Sequence, residues 1–146
     1  MAYTVMLVAA AGSSTRMGCP KQTIPLSGEP VLLHTLRALE SAASVDGVVL
    51  IARPEDAQSF AALAQENGIR KLLAVVPGGA SRQQSVERGL AALPPETAFV
   101  GIHDGARPLV SAALIDAVVA AARETGAAAA AIPVRDTLKR ADAAGT

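Results

Sequence analysis

"TVMLVAAAGSSTRMGCPKQ" (residues 4–22) begins as a short apolar run, residues 4–10, and changes character at Gly12. A continuous apolar run that ends at a glycine turn reads as a strand buried on both faces, the kind that helix-covered parallel sheets contain. The second half of the stretch is built mostly of residues too small to pack. Yet it carries Arg16 and Lys21 five positions apart, with Pro20 just before the lysine. Such a segment is either a solvated surface turn or a cradle for something anionic.

The rest of the chain repeats the alternation. "SGEP" (27–30) is a turn signal. Leu32, Leu33, Leu36, Leu39 and Ala43 recur at helical spacing, which predicts a helix over 30–43 with Pro30 near its first turn. A buried strand is expected at 47–52, and further strands at 71–76 and 98–102. A fifth strand, made of small residues, is expected at 127–134. Between them lie a helix at 54–67, one capped by Ser81 with Val86, Leu90 and Leu93 as its apolar positions, and one capped by Ser111 and ended by Gly126. Strand and helix in strict alternation predict an α/β fold, Rossmann-like, with a mostly parallel sheet and helices on both faces.

Composition supports that class and narrows the functions. Of 146 residues, 51% are apolar but only 2% aromatic, so the core must be built from Ala, Val, Leu and Ile, which suits helices on a buried sheet. The length fits one domain. Thirteen basic and thirteen acidic residues cancel, so no global field draws the chain to nucleic acid or membrane, and any anion site must be local. The single cysteine, Cys19, excludes an internal disulfide and suggests no metal cluster. The first ten residues lack a basic leader region. No apolar run reaches 18 residues free of charge, so no membrane span is expected and the cytoplasm is the expected compartment.

Three segments stand apart from the alternation: 10–22, 77–85 and 103–108. Each starts where an expected strand ends, and in open α/β sheets ligands bind at that edge. The first fails both common phosphate signatures. Ser14 stands where a dinucleotide fingerprint needs its second glycine, and Gly18 is too far from Gly12 for a Walker loop. What remains is "AAGSSTRMGCPKQ", which resembles the signature loop of the sugar nucleotidyltransferases. "GGASRQQSV" (78–86), "HDGARP" (103–108) and "PVRDTLKR" (133–140) are similar to segments of the cytidylyltransferases that act on 2-C-methyl-D-erythritol 4-phosphate. The resemblance covers the whole chain.

That resemblance implies a nucleotidyltransferase-type fold and a reaction in which a polyol phosphate attacks the α-phosphorus of CTP while pyrophosphate leaves. Mg²⁺ or another divalent cation would be the cofactor. Arg16 and Lys21 are the expected catalytic residues: the arginine fork can grip two phosphate oxygens, and the lysine can follow charge growing on the α-phosphate. Ala10, Ala11, Gly12, Gly79, Ala80, Ser85 and Gly105 are expected at the nucleotide, where small residues let backbone approach base and phosphate. The family often has an acidic residue where Ala80 stands. Asp104 is the expected metal ligand and, with Arg107, Arg135 and Thr137, is expected at the substrate. Arg107 has a second use, as a brace on Asp104. Ser81 reads as a helix cap and Arg82 as a surface charge; His34, His103 and Cys19 have no expected role in catalysis.

Enzymes of this family extend well past 146 residues. By resemblance, 1–146 is one nucleotidyltransferase domain lacking its C-terminal part, and 135–146 begins an arm that reaches a partner in a homodimer. Two alternatives stay open: a cytidylyltransferase for a pentitol phosphate such as ribitol 5-phosphate, and a nucleotide-binding module without catalysis.

Overall fold

The computed structural model describes residues 2–12 and 20–137. Four parallel strands form the central sheet: β1 (Tyr3–Ala9), β4 (Gly47–Ala52), β5 (Leu72–Pro77) and β6 (Thr97–Asp104), in spatial order β5-β4-β1-β6. The chain first steps outward from β1 to β4 to β5, then returns to place β6 on the other side of β1. The reversal creates a switch point between β1 and β6, where an open α/β sheet has its ligand crevice.

Side chains alternate across the two central strands, so each face collects its own apolar set. Met6, Val8, Val48 and Leu50 meet α1 (Val31–Ser41), α2 (Ala57–Glu66) and α4 (Ala112–Thr125). Leu32, Leu33, Leu36 and Leu39 of α1 fill the centre of that layer. Each of these leucines is at least 98% buried, and burying one is worth about 1.5–3 kcal/mol. Val5, Leu7, Val49 and Ile51 face the other way, toward α3 (Arg82–Ala91). The expected helices on both faces are therefore present.

The helix ends follow their sequence signals. Ser81 and Ser111 accept hydrogen bonds from the amides of Gln84 and Leu114, and Gly126 closes α4 in the left-handed region at φ 89°. Lys71 donates to the carbonyls of Leu39 and Ala42, placing a cation at the C-terminal end of α1.

Four expectations need correction. Ala43 is exposed and Ala42 takes the buried position, because the chain leaves the helix after Ser41. Leu90 is 45% exposed, because α3 approaches the sheet through Gly89 instead. A Cβ there would lie 2.9 Å from Ile51 Cδ1, so a larger residue would require that side chain to shift. "SGEP" is more than a turn: it closes a hairpin of β2 (Pro25–Leu26) and β3 (Glu29–Pro30), with Ser27 and Gly28 both at positive φ. Finally, 127–134 forms no strand; the segment is irregular and exposed. Its alanines bring little area to bury, and a strand needs a partner. Ala128, Ala129 and Ala130 border an apolar groove of about 810 Å³ with Val100, Ile102 and Val118.

Candidate active site

The three unusual segments do converge. A cavity of about 920 Å³ opens at the C-terminal ends of the strands. It is lined by Ala11, Gly12 and Lys21 from the first segment, Gly79, Ala80 and Ser85 from the second, and Asp104, Ala106 and Arg107 from the third. The register explains the meeting: Ala9 pairs with Ile51 on one side and with Asp104 on the other, so these strands end level.

Each wall is held by its own backbone chemistry. Beyond β1, the Ala10 amide donates to the Ile51 carbonyl at 2.8 Å, and the Ala10 side chain is buried. Gly105 sits behind this wall. Its amide donates to Ala9, its carbonyl accepts from Thr35, and an added Cβ would stand 3.1 Å from Ala10 Cβ. Ala10 and Gly105, both expected at the nucleotide, thus serve first to let β1 and β6 end close together. Among the described residues, nothing lies within 4 Å of where a Cβ on Gly12 would project.

The second wall is a glycine loop pinned to α3. The Ser85 hydroxyl accepts from the Gly79 amide and donates to the Ser81 carbonyl, both at 2.9 Å. Gln84 Oε1 accepts from the Ala80 amide at 2.9 Å, and Arg88 donates to the Gly78 carbonyl at 2.6 Å. Gly78 is forced by close approach: a Cβ would fall 2.3 Å from that of Ala11, so the first two walls touch there. Ser85, expected as a nucleotide contact, is buried and shapes this loop.

The third wall carries the charge. Asp104 accepts from Arg82 Nη1 at 2.7 Å through one oxygen and from Arg107 Nε at 2.9 Å through the other. Partial burial pushes this carboxyl up, but the hydrogen bonds and charges of Arg82, then Arg107, outweigh it and hold it below its ordinary value. Next to it, burial pushes the His103 imidazole down, so it favours the neutral form. His34 donates through Nε2 to the Leu26 carbonyl at 2.8 Å and braces the hairpin against α1.

Of the other expected residues, Arg16 lies outside the described residues, as does Cys19. Arg135 and Thr137 are exposed on the extended tail and do not line the cavity. Ala106, within the third unusual segment, lines the cavity as well. Gln22, buried just after Lys21, and Arg82, which reaches Asp104 from the first turn of α3, line it without having been expected at the site. Of these two, Arg82 had a sequence signal, its place directly after the glycine loop.

A divalent cation finds no cage made of protein here. Among the described residues there is no group of three or more His, Cys, Asp or Glu side chains. Among the described residues Asp104 is the one carboxylate lining the cavity, and both its oxygens are engaged by arginines. These residues do not fit a resident metal held by protein ligands alone.

Over residues 4–146 the sequence matches the family described as 2-C-methyl-D-erythritol 4-phosphate cytidylyltransferase. The chain belongs to this family. It is 50% identical to the 2-C-methyl-D-erythritol 4-phosphate cytidylyltransferase of Pelotomaculum thermopropionicum over 138 residues, which cover 92% of this chain and 58% of that one. The enzyme of the same name from Desulforamulus reducens is 45% identical, covering 95% and 61%. A solved structure, 4-diphosphocytidyl-2C-methyl-D-erythritol synthase from Anaerococcus prevotii, superposes with a TM-score of 0.81 at 26% identity, covering 99% of this chain and 61% of that one. The chain thus spans about three-fifths of the length of these cytidylyltransferase relatives. No helix among the described residues is long and apolar enough to cross a membrane.

Proposed function

We propose that this chain carries the nucleotide-binding part of a cytidylyltransferase. The reaction moves the cytidylyl group of CTP onto the phosphate of 2-C-methyl-D-erythritol 4-phosphate and releases pyrophosphate, a step in making isoprenoid precursors. The observation that carries the reading is the cavity itself. Three family segments border it, and among the described residues its charged lining is Lys21, Arg82 and Arg107 against Asp104. In a chain of no net charge, that local surplus suits a triphosphate.

The attacking phosphate oxygen is already ionised, so no general base is needed. It forms a bond to the α-phosphorus as the bond to the pyrophosphate oxygen breaks in line, and no covalent enzyme intermediate is required. The protein's work is positioning and charge stabilisation. Lys21 is assigned to the α-phosphate, and Arg16 to the other phosphates. The glycine loop is assigned to cytosine. The amides of Gly79 and Ala80 are already bonded to α3, so it is their carbonyl oxygens that these two residues have to offer. Carbonyls accept, which suits the 4-amino donor of cytosine and not the 4-oxo group of uracil.

A divalent cation, Mg²⁺ by preference, would enter with the triphosphate, whose oxygens supply most of the ligands such an ion needs. Asp104 is the carboxylate placed to join it once an arginine lets go. The complete enzyme is proposed as a cytoplasmic homodimer in which Arg135 and Thr137 serve the neighbouring subunit's acceptor site.

The deciding experiment measures pyrophosphate release with CTP and either 2-C-methyl-D-erythritol 4-phosphate or ribitol 5-phosphate. Release with the first acceptor and CTP, and little with UTP, is expected. Preference for ribitol 5-phosphate would move the chain to pentitol phosphates. CTP binding with no release from any acceptor would make it a binding module.

A further inference from the structure

Arg82 reads as a surface charge in the sequence, yet it makes the shorter of the two contacts to Asp104, at 2.7 Å against 2.9 Å for Arg107. The side chains of Arg82 and Arg107 are 64% and 75% exposed, while that of Asp104 is 31% exposed. Two guanidinium groups carry ten N–H donors between them, and one carboxylate satisfies only a few. A unit of positive charge is left over at the cavity rim. Arg82 begins α3 and Asp104 ends β6, so their contact also crosses from one cavity wall to another.

Resting on the nucleotidyl-transfer reading above, we propose that Arg82 is a phosphate-binding residue of this cavity, held by Asp104 until a phosphoryl oxyanion enters and takes its place. A carboxylate and a phosphate present paired oxygens to the same guanidinium fork, so one can stand in for the other. The phosphate brings more charge and more acceptor oxygens, and therefore competes well for both arginines. The exchange makes and breaks hydrogen bonds only, and it frees the Asp104 carboxylate for a cation arriving with the phosphates. The oxyanion comes either from the nucleotide's polyphosphate or from the acceptor's monophosphate.

Calorimetric titration with inorganic pyrophosphate and with glycerol 3-phosphate separates these sources. Arg82→Ala is expected to weaken whichever probe occupies the site by about tenfold, the scale of one charged hydrogen bond. Arg82→Lys should recover part of the loss. Asp104→Asn should tighten the same probe, and that gain should vanish when Arg82→Ala is added. Unchanged affinity for both probes in Arg82→Ala, with only a lowered melting temperature, would overturn the inference, as would a wild-type chain that binds neither probe. A parallel CTP titration keeps the two readings apart. CTP bound equally by wild type and Arg82→Ala, with unchanged probe affinities, sinks this inference and leaves the functional reading. Pyrophosphate bound through Arg82 without any CTP binding does the reverse.

Discussion

Two clusters of charge sit at opposite ends of the logic of this molecule. At the hairpin, Arg37 grips both oxygens of Glu29 in a fork-to-fork pair and also reaches Asn67. At the cavity, Arg82 and Arg107 share the single Asp104. The first cluster is balanced, one base to one acid, and it ties β3 to α1 and to the end of α2. Arg53 goes further toward acid, with both Asp56 and Glu55. Only at the cavity, among the described residues, do bases outnumber acids around a shared partner. Balanced pairs are sufficient for holding elements together, and a surplus does no structural work. It is what an anion site keeps in reserve.

On that contrast, removing a base should cost function at the cavity and only a little stability at the hairpin. Lys21→Ala should give the largest effect: in a catalytically active form of the enzyme, turnover should fall about a hundredfold, roughly 3 kcal/mol, with a smaller change in the Michaelis constant for CTP. A raised Michaelis constant with unchanged turnover would assign Lys21 to ground-state binding. Gly78→Ala attacks the geometry that joins the walls. Its new methyl would overlap Ala11, and overpacking of this kind costs about 1–3 kcal/mol. Melting temperature and CTP affinity should fall together; loss of neither would mean that the loop moves aside freely.

The acid limb offers a gentler test. The Asp104 carboxyl is lowered in the folded protein from its ordinary value of 3.8. Its contribution to stability is therefore complete above about pH 4 and is lost as pH falls through the lowered folded value. Unfolding curves across that range should show a step that Asp104→Asn removes. An identical pH profile in the variant would show that the trio holds nothing. Arg37→Ala should do least: a small drop in melting temperature, since exposed pairs contribute little, and no change in CTP affinity.

How far the sequence reveals this site depends on which interactions are local. The strands were legible because buried parallel strands are continuous apolar runs, and the helix ends because Ser81, Ser111 and Gly126 act on their immediate neighbours. The switch-point edge was legible too, since strand alternation implies it. The Arg82–Asp104 contact was not. It joins residues 22 positions apart through a sheet order that no single segment encodes. The buried use of Gly89 and Ser85 was hidden for the same reason, because only the distance of α3 from the sheet decides whether a leucine or a glycine faces inward. The segment 127–134 misled because alternation predicts a strand without saying what it pairs with. The short hairpin escaped because two-residue strands have no period to read.

The most direct measurement is a crystal structure of the chain with CTP bound. The account predicts the triphosphate between Gly12, Lys21 and the Asp104–Arg107 wall, the cytosine against Gly79–Ser85, and at least one guanidinium moved from Asp104 to a phosphate oxygen. CTP lying in the apolar groove along β6, or a triphosphate pointing away from Lys21 with both arginines still on Asp104, would contradict it.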